Sequence, residues 1–281
     1  MSPSDGQRSG SAPAPGPDVV IATTALTRRF DALVAVDHLD LEVRQGVIFG
    51  LLGPNGAGKT TTIKMLTTLL PPTSGAAWVA GFEVTKNPRE VRGRIGYVPQ
   101  LVSADGALTA GENLVLSAKL YRIPRSQRRA RIDAALEFMG LAAAADQLVR
   151  TFSGGMIRRL ELAQAMLHQP AVLFLDEPTI GLDPLARRAV WEKLEELQGR
   201  QGTTILICTH DMEEADVLCD ELAVMHRGQV AARGTPAELK GRIGPDATLD
   251  DVFAEIAGGT IEAGGSYRDV RRTRSTVRRL S

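Results

Sequence analysis

The strongest constraint on this chain is the run Gly53, Pro54, Asn55, Gly56, Ala57, Gly58, Lys59, Thr60, which follows directly on the apolar stretch 47–52. It fits the pattern G-x-x-x-x-G-K-[ST], and it sits between a short apolar segment and a stretch with helical composition. A buried strand, a tight glycine-rich turn and a helix opening at Lys59 make an anion cradle. The glycines let the backbone curl so that several N–H groups point inward, and the helix start adds its positive dipole end. In such a cradle Lys59 reaches the β- and γ-phosphates of a nucleotide and the Thr60 hydroxyl ligates Mg²⁺, with Thr61 in the same first turn. A glycine-rich turn arising by chance satisfies the bare pattern but not the strand before it and the helix after it.

A second feature agrees with the first. Residues 172–177 read Val172, Leu173, Phe174, Leu175, Asp176, Glu177, a continuous apolar run that ends in two carboxylates. Open α/β sheets bind ligands at the carboxyl ends of their strands, which is where this pair lies. Asp176 is placed to hold Mg²⁺, directly or through water, and Glu177 to orient or deprotonate an attacking water. Neighbouring residues on a strand point to opposite sides, so the two acids are expected to do different work.

Around these motifs the pattern is that of an α/β chain. Short β-rich runs are expected at 19–24, 33–36, 39–43 and 47–52, and a helix from Lys59 to the Pro71, Pro72 breaker. Between 109 and 169 strands are absent and three helices are expected, at 111–121, 126–139 and 154–168. Strand–helix alternation returns over 171–226, which argues a mostly parallel sheet covered by helices. A last amphipathic helix is expected at 249–256. Residues 1–17 are almost entirely Ser, Pro, Gly and Ala and read as a disordered leader. From 258 the chain becomes a flexible basic tail, with six arginines (268, 271, 272, 274, 278, 279) against Asp269 alone between 266 and 281.

Further residues carry a family resemblance. Phe152, Ser153, Gly154, Gly155 and Met156 look like the signature motif of the ABC-type ATPases, the nucleotide-binding domains of ATP-driven transporters. Ser153 is a good N-cap, and with the Gly154 and Gly155 amides it makes a second anion-binding helix start. Gln100, after Tyr97, Val98 and Pro99, resembles the Q-loop glutamine that touches Mg²⁺ and the attacking water. His210 resembles the switch histidine at a strand end, and Asp183, after Gly181 and Leu182, resembles the D-loop aspartate at the dimer interface. Asp183 also reads as a cap for the helix beginning at Pro184. Phe30 resembles the aromatic residue that stacks on adenine. Met156 stands where glutamine is usual, and Ile157 and Ile180 where polar residues are frequent.

The resemblance implies an α/β fold over 18–257: a phosphate-loop NTPase core with a mostly parallel sheet, an N-terminal antiparallel β subdomain and an inserted α-helical subdomain at about 109–169. It implies ATP and Mg²⁺, with ATP hydrolysed by Glu177, His210 and Gln100. It also implies a head-to-tail homodimer in which Ser153, Gly154 and Gly155 of one copy close on the ATP held by the other. The segment 149–163 and the ending at 248–253 are similar to the daunorubicin-resistance branch of drug exporters, in which the ATPase is a separate polypeptide driving integral-membrane permease subunits. Related pairs export lipids or polysaccharides.

Charge and length fit that expectation. Thirty-three basic side chains balance thirty-three acidic ones, so no net field draws the chain to nucleic acid. Family members acting on nucleic acid or ribosomes carry two cassettes or long coiled-coil insertions, and this chain has one phosphate-binding motif and no heptad run. The apolar runs fall far short of the ~20 residues a membrane-spanning helix needs. No secretory signal is apparent near the start, and two cysteines at 208 and 219 suit a reducing compartment. The expected location is peripheral, on the cytoplasmic face of the cell membrane, with anionic lipid as a weak contact for the tail from Arg268 to Arg279.

Overall fold

The computed structural model describes residues 15–258. The leader expected for 1–17 lies outside the described residues except for 15–17. The basic tail expected from 258 lies outside them except for Gly258, and the lipid contact assigned to Arg268–Arg279 falls wholly outside.

The chain opens with two 12-residue strands, β1 (Val19–Phe30) and β2 (Leu33–Arg44), paired antiparallel from Val19↔Arg44 to Phe30↔Leu33. The sequence pattern breaks them into shorter runs because each strand contains a left-handed residue, Ala25 (φ 46°) and His38 (φ 48°), and the pairing register shifts beside Thr23, Leu26 and Arg28. β3 (Ile48–Leu52) is buried throughout and leads into α1 (Lys59–Leu66). That helix ends before the Pro71, Pro72 breaker. The Thr67 hydroxyl donates to the Ile63 carbonyl at 2.8 Å, and Thr68 turns left-handed at φ 64°. β4 (Ser74–Val79) and β5 (Phe82–Glu83) extend the first sheet to the order β2-β1-β4-β5.

The second sheet combines β3 with five strands that follow β5 in the chain. After α2 (Pro88–Arg94) come β6 (Ile95–Val98) and three helices, α3 (Ala110–Leu120), α4 (Arg125–Phe138) and α5 (Gly154–Met166). Then follow β7 (Val172–Asp176), α6 (Pro184–Gln201), β8 (Thr204–Thr209), α7 (Met212–Leu218), β9 (Glu221–His226), β10 (Gln229–Gly234), α8 (Pro236–Gly241) and α9 (Leu249–Gly258). The strand order is β10-β9-β3-β8-β7-β6; all neighbours are parallel except β10 and β9. Between Thr109 and Gln169 an isolated bridge from Thr109 to Leu148 is the pairing found among the described residues.

Why the central strands read as unbroken apolar runs is clear from which core each residue enters. Leu173, Leu175, Ile205 and Ile207 face a core shared with α3–α6, whereas Phe49, Leu51, Phe174 and Leu206 face a core shared with α1 and the antiparallel sheet. Successive residues point to opposite faces, and both faces are covered, so polar side chains such as Thr204, Thr209 and Asp176 are confined to the strand ends.

Helix α5 reaches the sheet closely at one point. A Cβ added to Gly96 on β6 would lie 2.4 Å from the Ala165 carbonyl oxygen and 2.9 Å from Leu173 Cδ1. The first neighbour is backbone and cannot swing aside. Gly96→Ala is therefore expected to destabilise the fold by about 1–3 kcal/mol as overpacking, read as a lower midpoint in denaturant with an unchanged slope.

Candidate functional site

The loop at 53–58 closes because Gly58, the residue just before α1, adopts φ 106°, and a Cβ there would stand 2.5 Å from the Ala35 carbonyl oxygen. Only glycine combines that backbone with that approach. The loop so formed carries Lys59 inward to 5% exposure. Its Nζ donates to the carbonyl oxygens of Gly53 at 2.6 Å and Pro54 at 3.2 Å and lies 3.3 Å from Glu177 Oε1.

Both carboxylates of the second motif meet the first turn of α1, Asp176 at Thr60 and Glu177 at Lys59. β7 ends at Asp176, whose Oδ1 accepts from the Thr60 hydroxyl at 3.0 Å. Glu177 turns left-handed (φ 52°), its N–H bonded to the Cys208 carbonyl at 2.8 Å. The two acids part because the backbone turns between them, not through alternation along a continuing strand. Burial pushes the Asp176 carboxyl above the usual carboxylate range; the Thr60 hydrogen bond opposes this, and the charge of Glu177 adds to it.

His210, at the end of β8, stands with Nδ1 2.7 Å from Glu177 Oε2. An ionised carboxylate only accepts, so the ring is assigned its hydrogen on Nδ1 in this contact. Lys59, Glu177 and His210 thus form one chain of polar contacts across the carboxyl ends of β3, β7 and β8.

A cavity of about 460 Å³ opens above them. Its lining brings together Phe30, residues 54–61, Gln100, Glu177 and Arg227. Phe30 ends β1 and is 41% exposed, with the Arg28 guanidinium 4.5 Å from its ring centre. Gln100 follows β6 on an exposed loop at the cavity rim.

Other predicted residues lie apart from that cavity. Ser153 caps α5 and accepts from the Met156 N–H at 3.3 Å; Ser153 and Gly154 are exposed, while Gly155 is buried. Asp183 caps α6 and accepts from the Ala186 N–H at 2.9 Å, and Pro184 fills the first helical position. None of Ser153, Gly154, Gly155 and Asp183 lines the cavity.

The structure also adds residues that pattern reasoning missed. Glu214, 1% exposed, accepts from Thr179 Oγ1 at 2.7 Å and Trp191 Nε1 at 3.1 Å, tying α7 to the loop after Glu177 and to α6. Its signal was a carboxylate four residues before Leu218 on the apolar face of a helix. Arg158 and Glu161 sit likewise within the buried face of α5. Arg227 gave no signal beyond its position after β9.

Known proteins agree with this geometry. Residues 36–180 match the family described as ABC transporter. The chain is 46% identical over 228 residues to the daunorubicin/doxorubicin resistance ATP-binding protein DrrA of Streptomyces peucetius, covering 81% of this chain and 69% of that one. It is 43% identical over 229 residues to a Nod factor export ATP-binding protein I of Ralstonia nicotianae, covering 80% and 71%. Among solved structures, an ATP-binding subunit of an ABC transporter superposes with a TM-score of 0.76 at 30% identity, covering 85% of this chain and 99% of that one. The chain belongs to the ABC transporter family as an ATP-binding, ATP-hydrolysing subunit.

Proposed function

We propose that two copies of this chain, arranged head to tail, drive the integral-membrane permease subunits of an exporter of hydrophobic drugs, from a peripheral position on the cytoplasmic face of the membrane. ATPases of the family work as dimers with separate permease subunits. Similarity to the daunorubicin/doxorubicin resistance protein favours a hydrophobic drug as cargo. No helix among the described residues is long and apolar enough to cross a membrane, which suits a peripheral subunit.

The observation that carries the reading is a division of the site. Lys59, Thr60, Asp176, Glu177 and His210 converge within hydrogen-bond or ion-pair distance, while the second anion-binding helix start, at Ser153, stays exposed and outside the cavity. This division supports a site in which the Ser153 helix start of another copy supplies further donors to the γ-phosphate. Exposed apolar side chains flank Asp183: Ile180 at 45% and Leu185 at 81%. Such residues suit burial between copies.

These contacts support the following roles. Phe30 offers its ring to the adenine base, and the amides of Gly56, Ala57, Gly58 and Lys59 with the Lys59 ammonium receive the phosphates. Glu177 accepts the proton of the attacking water as the oxygen–phosphorus bond forms and the bond to the β-phosphate oxygen breaks, giving ADP and phosphate. His210 holds the Glu177 carboxylate in place through Nδ1. Gln100 stands at the rim, where it orients the water. The pairing of a hydroxyl with a buried carboxylate, Thr60 and Asp176, fits the hard oxygen donors Mg²⁺ requires. Mg²⁺ held there with Gln100 would neutralise charge on the β- and γ-phosphates. Closure of the dimer on ATP moves the helices between 109 and 169 and with them the permease; hydrolysis reopens it.

Two outcomes are expected. Glu177→Gln should lower turnover about 100-fold or more while ATP still stabilises the chain thermally and holds it as a dimer on gel filtration; surviving turnover removes Glu177 from its role. Asp176→Asn tests the metal site through pH. A carboxyl whose folded pKa lies above its unfolded value binds more protons in the folded state. Its contribution to stability is full below the unfolded pKa and is lost as pH rises through the folded one. The ligand-free Asn variant should therefore gain melting temperature over the parent near neutral pH, with the gain shrinking on acidification, and should lose the Mg²⁺-dependent part of stabilisation by ATP.

A further inference from the structure

Helix α5 carries an ion pair where an apolar contact would be expected. Arg158 and Glu161 are 5% and 2% exposed, and Arg158 Nη1 lies 3.0 Å from Glu161 Oε2. Neither charge is spent within the helix alone. Arg158 Nη1 also donates to the Pro99 carbonyl at 2.9 Å, and Nη2 donates to the Gln100 carbonyl at 3.3 Å. Glu161 Oε1 accepts from the Ser103 N–H at 2.5 Å and from the Ser103 hydroxyl at 2.9 Å. The loop is thus held at 99, 100 and 103, and between these anchors Leu101 and Val102 stand out at 80% and 61% exposure.

The energetics say what the pair is not for. Two charges buried on one helix face lose their hydration, and replacing such a pair by apolar residues of similar volume is often neutral or stabilising. What an apolar pair cannot do is grip two carbonyls, an amide and a hydroxyl of a loop at fixed positions. The grip lies on the helix that begins at Ser153. At about 1.5 Å of rise per residue, Arg158 is only about 7.5 Å along that helix from its cap. One rigid element therefore fixes both the backbone of Gln100, at the rim of this copy's ATP cavity, and Ser153, which is exposed and outside the lining of that cavity.

We propose that Arg158 and Glu161 are positioning residues for hydrolysis: they hold Gln100 against α5, so that Gln100 in one ATP site and Ser153 at the other move as a single body. This rests on the reading of Gln100 as a residue of the ATP site. The pair acts through the backbone of Gln100 and lies outside the lining of the ATP cavity.

A double-mutant cycle on the full-length chain tests it, with steady-state ATP hydrolysis and thermal melting measured for Gln100→Ala, for Arg158→Met with Glu161→Leu, and for the three changes together. The apolar pair should melt at or above the parent temperature. Its kcat should fall about tenfold or more, as expected for a misplaced site group. Its KM for ATP should stay within about twofold, because ground-state binding is untouched. The triple variant should be no slower than Gln100→Ala by more than about twofold, since one pathway is already lost. A parental kcat in the apolar pair, or losses that multiply in the triple variant, overturns the proposal. If Gln100→Ala alone leaves kcat at the parental value, it is the reading of Gln100 that fails, and the positioning role loses its object with it. Should the apolar pair not fold, Arg158→Lys keeps the charge but not the forked reach to two carbonyls. It should show the same loss of kcat, and a parental rate again overturns the proposal.

Discussion

Everything in this site depends on keeping two carboxylates, Asp176 and Glu177, beside one ammonium, Lys59, where water is nearly excluded. All three are at most 6% exposed. An isolated charge at such depth is costly, and the fold tolerates these because each has a partner within reach: Thr60 for Asp176, Lys59 and His210 for Glu177, and loop carbonyls for Lys59. The same exclusion of water makes each contact worth more to an incoming polyphosphate than it would be at a surface. An α/β sheet with both faces covered is the frame that allows it. β3, β7 and β8 are adjacent and parallel, so their carboxyl ends deliver the phosphate loop, the acids and the histidine to one edge.

Strain supports that delivery. Glu177 takes a left-handed backbone that a residue with a Cβ adopts rarely, and its N–H is pinned to the Cys208 carbonyl on the neighbouring strand. The turn aims Oε1 at Lys59 and Oε2 at His210 while Asp176 keeps its own direction toward Thr60. A strand continuing one residue further would have placed Glu177 on the opposite face. The separation of the two acids is thus a property of the backbone at one residue.

Residues that touch the phosphate-binding loop were legible in the chain because their chemistry constrains local spacing. The glycines, Lys59 and Thr60 fall within one turn, and Asp176 and Glu177 end an apolar run whose burial on both faces leaves no other reading. Edges of elements were less legible. Ala25 and His38 interrupt β1 and β2 through backbone angles that composition does not announce, and α1 stops early through a Thr67 hydroxyl bond and a left-handed Thr68. Least legible were the tertiary polar contacts. Arg158, Glu161 and Glu214 lie at helical spacing among apolar neighbours, which marks them as buried, but their partners at 99–103 and at Thr179 are distant in sequence. Periodicity says that a charge is inside; only topology says what it holds.

On the proposed head-to-tail reading, the chain is half of an engine in a specific physical sense. Its cavity has donors for the phosphates along one side, while the second helix start, at Ser153, is set outward and capped by its own hydroxyl to the Met156 N–H. A site complete within one copy would bind ATP and hydrolyse it without needing to move anything. A site completed only by a second copy makes closure a condition of the chemistry, so that the free energy of gripping ATP appears first as displacement of the helices between β6 and β7 and only afterwards as product release. For that displacement to report on the nucleotide, something stiff must join the cavity rim to those helices. The buried Arg158–Glu161 contact with the loop at 99–103 is such a joint, since a polar grip at fixed distances transmits position where a smooth apolar contact would let the loop slide.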